Sequence, residues 1–140
     1  MANSQQISGI MKQVALAAVV DSKTLKAALY LASATTNGTN TAYTATGEVS
    51  GTNYSAGGVS VTNGNAAGLT STTAYWTPSA SITFTTVTLS TAFDAVMIYS
   101  TTDANRNLGV FTFGSQTITA GTFTLTMPTN DSSTALIRFA

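Results

Sequence analysis

SITFTTVTLSTAFDAVMIYS, residues Ser81–Ser100, decides how the rest of this chain is read. Its first half, Ser81–Leu89, sets Ile82 and Phe84 between hydroxyl residues, the two-residue period that turns every second side chain to one face of a strand. Val87 and Leu89 fall out of phase with that pair, and the slip predicts a β-bulge near Thr85–Thr86. The second half, Phe93–Ser100, is nearly continuous in apolar character, the pattern of a central strand buried on both faces.

Downstream, Asn107–Gly114, Gly121–Met127 and Thr134–Ala140 repeat the short alternating pattern between turn residues. Upstream, Thr73–Thr77 carries Trp76, and Pro78 marks the end of that strand or an edge position. Thr24–Ser33 alternates Leu25, Ala27, Leu29 and Leu31 against Lys26, Ala28, Tyr30 and Ala32, a strand with one strongly apolar face. Gly58–Asn63 is a further strand ended by Asn63-Gly64, and Asn63–Thr72 reads as an irregular connection. Between these strands lies Thr41–Gly58, TAYTATGEVSGTNYSAGG, a loop too long for a hairpin turn. It holds the single glutamate, Glu48, with Tyr43 and Tyr54, and reads as a crossing between two layers, pinned by Glu48 and the tyrosines.

Residues 5–20 place Ile7, Ile10, Met11, Val14 and Ala18 at helical spacing, with Ser4 as N-cap. A secretory leader has a similar outline, but here the lone Lys12 follows an already apolar stretch, and the segment is too short to span a bilayer. The fold expected is mainly β: an antiparallel β-sandwich of seven to eight strands (residues 23–140) with an N-terminal α-helical arm (residues 1–22). No repeat of fixed period is visible, which argues against a solenoid.

Composition narrows the function classes. The chain has 140 residues, no cysteine and no histidine, so disulfides, thiolate metal sites and the commonest general base are all missing. Charged residues make up 7% with a formal net charge of zero, against about 25% in an ordinary soluble domain. A surface so poor in charge favours self-association. Five dispersed cations make no basic patch for nucleic acid. No nucleophile–base pair, phosphate loop or metal cluster can be assembled, so no enzyme and no cofactor is expected.

Three residue groups invite specific chemistry. Asp103, Asn105 and Asn107 have the alternate spacing of a calcium loop, but Leu108 stands where the turn needs glycine and Gly114 where a bidentate glutamate belongs. A polar hairpin turn explains the same residues. Glu48 reads as an acceptor for the glycine-rich loop's amides or a partner of Arg106 or Arg138. Tyr75 and Trp76 could stack on a sugar ring or be buried in a core or a subunit contact. The threonines lack the regular ranks that an ice-binding surface requires.

The blocks KAALYLASAT (Lys26–Thr35), TAYTATGEVSGTNYSAGG (Thr41–Gly58), FDAVMIYS with NRNLGVFTFGS (Phe93–Ser115) and GTFTLTMPTNDSSTALIRFA (Gly121–Ala140) resemble a family of small structural proteins encoded in tailed-bacteriophage genomes. Its members have an N-terminal helix, a VALY-type strand, a TGEVSG-YTAGG loop, an IYN…DFGS hairpin and a short C-terminal strand. Asn65–Thr72 departs from that pattern. The resemblance implies a virion component on the capsid surface: a decoration or cement protein that binds the major capsid protein, expected as a homotrimer. The partner contacts expected are Ile7, Ile10, Met11 and Val14 on the helix and Tyr43, Glu48 and Tyr54 in the loop. Nucleic acid and membrane are not expected partners. The alternatives are a tail, baseplate or fibre protein touching the host surface, or a carbohydrate-binding module.

Overall fold

The computed structural model describes residues 3–140. The chain is mainly β, with two antiparallel sheets and one helix near the N-terminus. Helix α1 (Gly9–Val20) is followed by strands β1 (Leu25–Leu31), β2 (Val59–Val61), β3 (Gly68–Thr70), β4 (Thr73–Trp76), β5 (Ile82–Ser100), β6 (Arg106–Leu125) and β7 (Ile137–Phe139). One sheet has the order β2-β1-β5-β6 and the other β3-β4-β7.

Helix α1 starts later than its apolar spacing suggests. Ser8, not Ser4, holds the N-cap position, and its carbonyl accepts the Lys12 amide at 3.2 Å. Gly9 fixes the start: a Cβ there would lie 2.6 Å from the Ser71 carbonyl, so only a bare backbone can settle on the β3–β4 turn. The helix has apolar residues on both faces, with Lys12 and Gln13 bonded to the Thr72 and Ala67 carbonyls, and the fold buries Gly9, Leu16 and Val20 rather than the stripe that starts at Ile7. Leu16 and Val20 share one core cluster with Leu29, Trp76, Phe84 and Phe93, so the arm expected over residues 1–22 packs into the same core as the strands. Residues 1 and 2 of that arm lie outside the described residues.

Strand β1 is buried on both faces, not one. Leu25, Ala27 and Leu29 face the main core, and Ala28 and Tyr30 join Ala95, Met97 and Tyr99 in a second cluster. The main core covers one face, and Tyr43 of the Thr41–Gly58 segment packs against the cluster on the other. The irregular connection expected at Asn63–Thr72 contains β3, joined to β4 by a tight turn in which Ser71 takes φ +55. Strand β7 is shorter than the expected Thr134–Ala140.

The largest difference lies in the hairpin of β5 and β6. Four expected strands are two, of 19 and 20 residues, paired from Ile82↔Leu125 to Ser100↔Arg106. The bulge expected near Thr85–Thr86 is present, with Thr86 at φ +51 and a register shift between Phe84 and Val87. Further shifts follow through Phe93 and Ala95. Phe113 and Phe123 sit ten positions apart on β6, about 33 Å along a straight strand. Their ring centroids are 5.3 Å apart. The hairpin therefore doubles back on itself, and Phe93 stands in the fold, edge-on to Phe113 at 6.0 Å and to Phe123 at 5.1 Å.

Phe93 is fully buried. Phe93→Ala should cost about 3–5 kcal/mol of stability, because the cavity would open where the bend is held together. Thr119→Ala on the exposed stretch of the same hairpin should stay within about 0.5 kcal/mol. Urea unfolding followed by circular dichroism measures both.

Candidate functional site

The loop Thr41–Gly58 does not project from the domain; it crosses it. Near its start, the Tyr43 amide donates to the Asn105 carbonyl at 2.8 Å and the Asn107 amide to the Thr41 carbonyl at 3.1 Å, tying it to the head of β6. At its middle it lies along β1: the Leu31 amide donates to Gly47 (2.9 Å), and the Val49 amide donates to Leu29 (3.0 Å). Beyond that, the Thr88 amide of β5 donates to the Thr52 carbonyl at 3.0 Å. The loop returns to β1 at Gly58, which takes φ +73 and where a Cβ would lie 1.8 Å from the Ala27 carbonyl.

Glu48 is the centre of this crossing. One carboxylate oxygen accepts the Tyr43 hydroxyl at 2.6 Å; the other accepts the Tyr54 hydroxyl at 2.8 Å and the Gly57 amide at 2.7 Å. The amide bond is the one anticipated from the glycine-rich sequence, whereas no bond to Arg106 or Arg138 forms; the tyrosines take that place. Tyr54's oxygen also accepts the Leu29 amide of β1 at 3.0 Å, and Tyr30 donates to the Thr44 carbonyl at 2.6 Å. Tyr99, which the sequence did not mark, donates to the Gly57 carbonyl at 2.8 Å and stacks on Tyr43 at 4.8 Å. A tyrosine at the end of a buried apolar strand needs a partner for its hydroxyl, and that need was the available signal.

The polar ends of Tyr43, Glu48 and Tyr54 are thus turned toward one another and toward backbone. Four of the expected partner residues, in contrast, are bare: Ile7 and Ile10 are 58% exposed and Met11 and Val14 62%. Ile10, Met11 and Val14 occupy the face of α1 opposite Gly9, Leu16 and Val20, and Ile7 lies just before the helix. Lys12 carries the one charge between Asn3 and Val20, and its ammonium donates to the Thr72 carbonyl at 3.1 Å, which turns it toward the protein's own sheet.

The remaining sequence candidates resolve as structure. Trp76 is fully buried and its indole N–H donates to the Asn65 carbonyl at 3.1 Å, so its ring offers no sugar platform. Asn63, Asn65 and Ala67 bind α1 to the sheets through Val20, Thr77 and Asp21. Asp103 pairs with Lys23 at 3.2 Å, and Ala104 and Asn105 take φ +53 and +58 in the β5–β6 turn. Among the described residues no group of three acidic, histidine or cysteine side chains could hold a metal, and no helix is long and apolar enough to cross a membrane. No family model, curated protein or solved structure matches the chain.

The four tyrosines around the crossing, Tyr30, Tyr43, Tyr54 and Tyr99, titrate late. Burial first pushes Tyr30 up to about 12, with the nearby Glu48 charge adding to it. Burial and then Glu48 also raise Tyr43, Tyr54 and Tyr99. A phenol that holds its proton more tightly when folded contributes stability that is complete below its unfolded value near 10 and is lost as pH rises through its folded value. The tyrosinate absorbance contributed by these four, read against a Tyr75→Phe background, should therefore rise together with loss of β-sheet signal from about pH 10 to 12, not ahead of it. A Glu48→Gln exchange brings an amide N–H against one of three donors. It should lower stability by about 1.5–3 kcal/mol, read from the urea midpoint, without changing the strand content.

Proposed function

We propose that this chain is a structural component of a tailed-phage virion, a decoration or cement protein that binds the outer surface of the major capsid protein as a homotrimer. The two sheets are read as the layers of an open β-sandwich, with α1 against one end. The observation that carries the reading is the bare stripe of Ile10, Met11 and Val14 on a helix whose other face is in the core, extended by the exposed Ile7 just before it. A surface helix ordinarily turns polar residues to solvent, and an outward face of Ile, Met and Val therefore calls for a cover.

The stripe amounts to a patch on the order of 400 Å², in the range at which exposed apolar surface marks a contact site. At about 25 cal/mol per Å² its burial would contribute on the order of 10 kcal/mol. Association itself costs about 4–15 kcal/mol, so one such contact is marginal alone and effective when several copies act together. The rest of the surface suits the same task. It has few charges, and the loop rim Gly51–Asn53, Ser55 and Ala56 is exposed and rich in backbone and hydroxyl donors for a neighbouring shell.

The direct test adds the purified chain to expanded capsids lacking decoration and images the mixture. Filling of regular lattice points is the expected outcome, and Ile10→Asp with Met11→Asp should abolish it while leaving the melting temperature within a few degrees. Wild-type protein that ignores capsids but is found at the tail of intact virions would move the assignment to host contact.

A further inference from the structure

Strand β6 is an edge. Beyond Asn107, where residues 41–43 cover its start, it pairs only with β5, so its other side offers a row of free N–H and C=O groups. Edge strands of this length are ordinarily guarded by charge, proline or brevity. From Asn107 to Leu125 this one has no charged residue and no proline. Beside the edge lies an apolar groove of about 130 Å³, lined by Ile98, Phe111, Phe113, Met127 and Leu136 among others. Phe111, Phe113 and Met127 are only half-buried. The groove is large enough for one aliphatic side chain.

The same molecule carries a segment with the complementary properties. Asn3–Ser8, NSQQIS, lies outside helix and strand, is exposed throughout and is uncharged, and Ile7 is its single apolar residue. In an extended strand Asn3, Gln5 and Ile7 share one face. The apolar stripe of α1 continues directly from it.

We infer that the occupant of the β6 edge is a second copy of this chain: residues 3–8 of one copy add as a strand to β6 of the next, Ile7 enters the groove, and Ile10, Met11 and Val14 pack beside it. Two different surfaces meet, so the contact is head-to-tail, and a decoration protein of fixed copy number requires the rotation between copies to close it into a ring. One contact then covers both the bare stripe and the open edge, and the absence of charge on either side removes the cost of burying ions. This rests on the decoration reading and deepens it: the stripe joins the copies, the exposed loop rim Gly51–Asn53 is left for the shell, and the contact can be tested in the absence of capsids.

The experiment is light scattering on the full chain and two single variants, Ile7→Lys on the donating side and Thr112→Lys on the exposed edge of β6. Thr124→Lys serves as a second edge variant should Thr112→Lys not fold, folding being checked by thermal melts. The wild type should form a closed oligomer, and each variant should fall to the 14.3 kDa monomer. Mixing the two variants should restore a two-chain species and nothing larger, because only one intact arm and one intact edge remain to meet. A monomeric wild type, an oligomer indifferent to the edge variants, or a mixture that stays monomeric would overturn the inference. A ring that ignores capsids would leave this contact standing and remove the decoration reading; a monomer that fills capsids would do the reverse.

Discussion

A hairpin of two strands, each of 19 or 20 residues, cannot bury its apolar face against itself while it is straight. Everything else in this molecule depends on the bend that solves the problem. Bulges between Phe84 and Ala95 break the pairing rhythm, the strands coil, and Phe113 and Phe123 close on Phe93. The bend brings the two halves of one hairpin into a common core, and the shorter elements fill the space around it. Strand β1 lies along Phe93–Ser100, and α1 and β4 add Leu16, Val20 and Trp76 to the same cluster.

The long loop uses a different currency. It crosses β1 and β5 with little apolar surface of its own, so polar groups hold it, and the strongest acceptor available is a carboxylate. Placing the sole glutamate among three donors, two of them tyrosine hydroxyls, one held by the Leu29 amide and the other by its ring's stacking on Tyr99, locks the crossing without an ion pair. The consequence is that the loop's one carboxylate is engaged inside the chain, and the exterior it leaves is rich in hydroxyls and poor in charge. Surfaces of that kind bind by shape and by backbone, which is the property the decoration reading relies on.

How much of this the sequence disclosed varies from element to element. The bulge at Thr85–Thr86 was visible because Ile82, Phe84, Val87 and Leu89 change phase, and Glu48 stood out as the only residue of its kind. The continuity of β5 and β6 was hidden: Ser90-Thr91 and Ser115–Ala120 carry the residues of turns, but each stretch faces the other across the hairpin, and pairing overrides local preference. Strand β3 escaped because its turn takes left-handed backbone at Ser71, not at a glycine or asparagine. In α1 the stripe through Ile7 was legible but its partner was not, since both faces of the helix are apolar and only the position of Gly9 against Ser71 decides which one turns inward.

The bond from Lys12 to the Thr72 carbonyl has a consequence of its own. Among the described residues it withdraws the one charged side chain between Asn3 and Val20 into a contact within the chain, so no charged side chain of α1 stands at that face to be screened. Added salt shortens the Debye length from about 8 Å at physiological strength to about 3 Å at 1 M, and contacts made by charges fade with it. A contact made through this helix would instead hold in dilute buffer and tighten in sulfate, where exclusion of the salt from apolar surface favours burial. An assembly built on it would keep its grip when the surrounding medium changes from cytosol to open water.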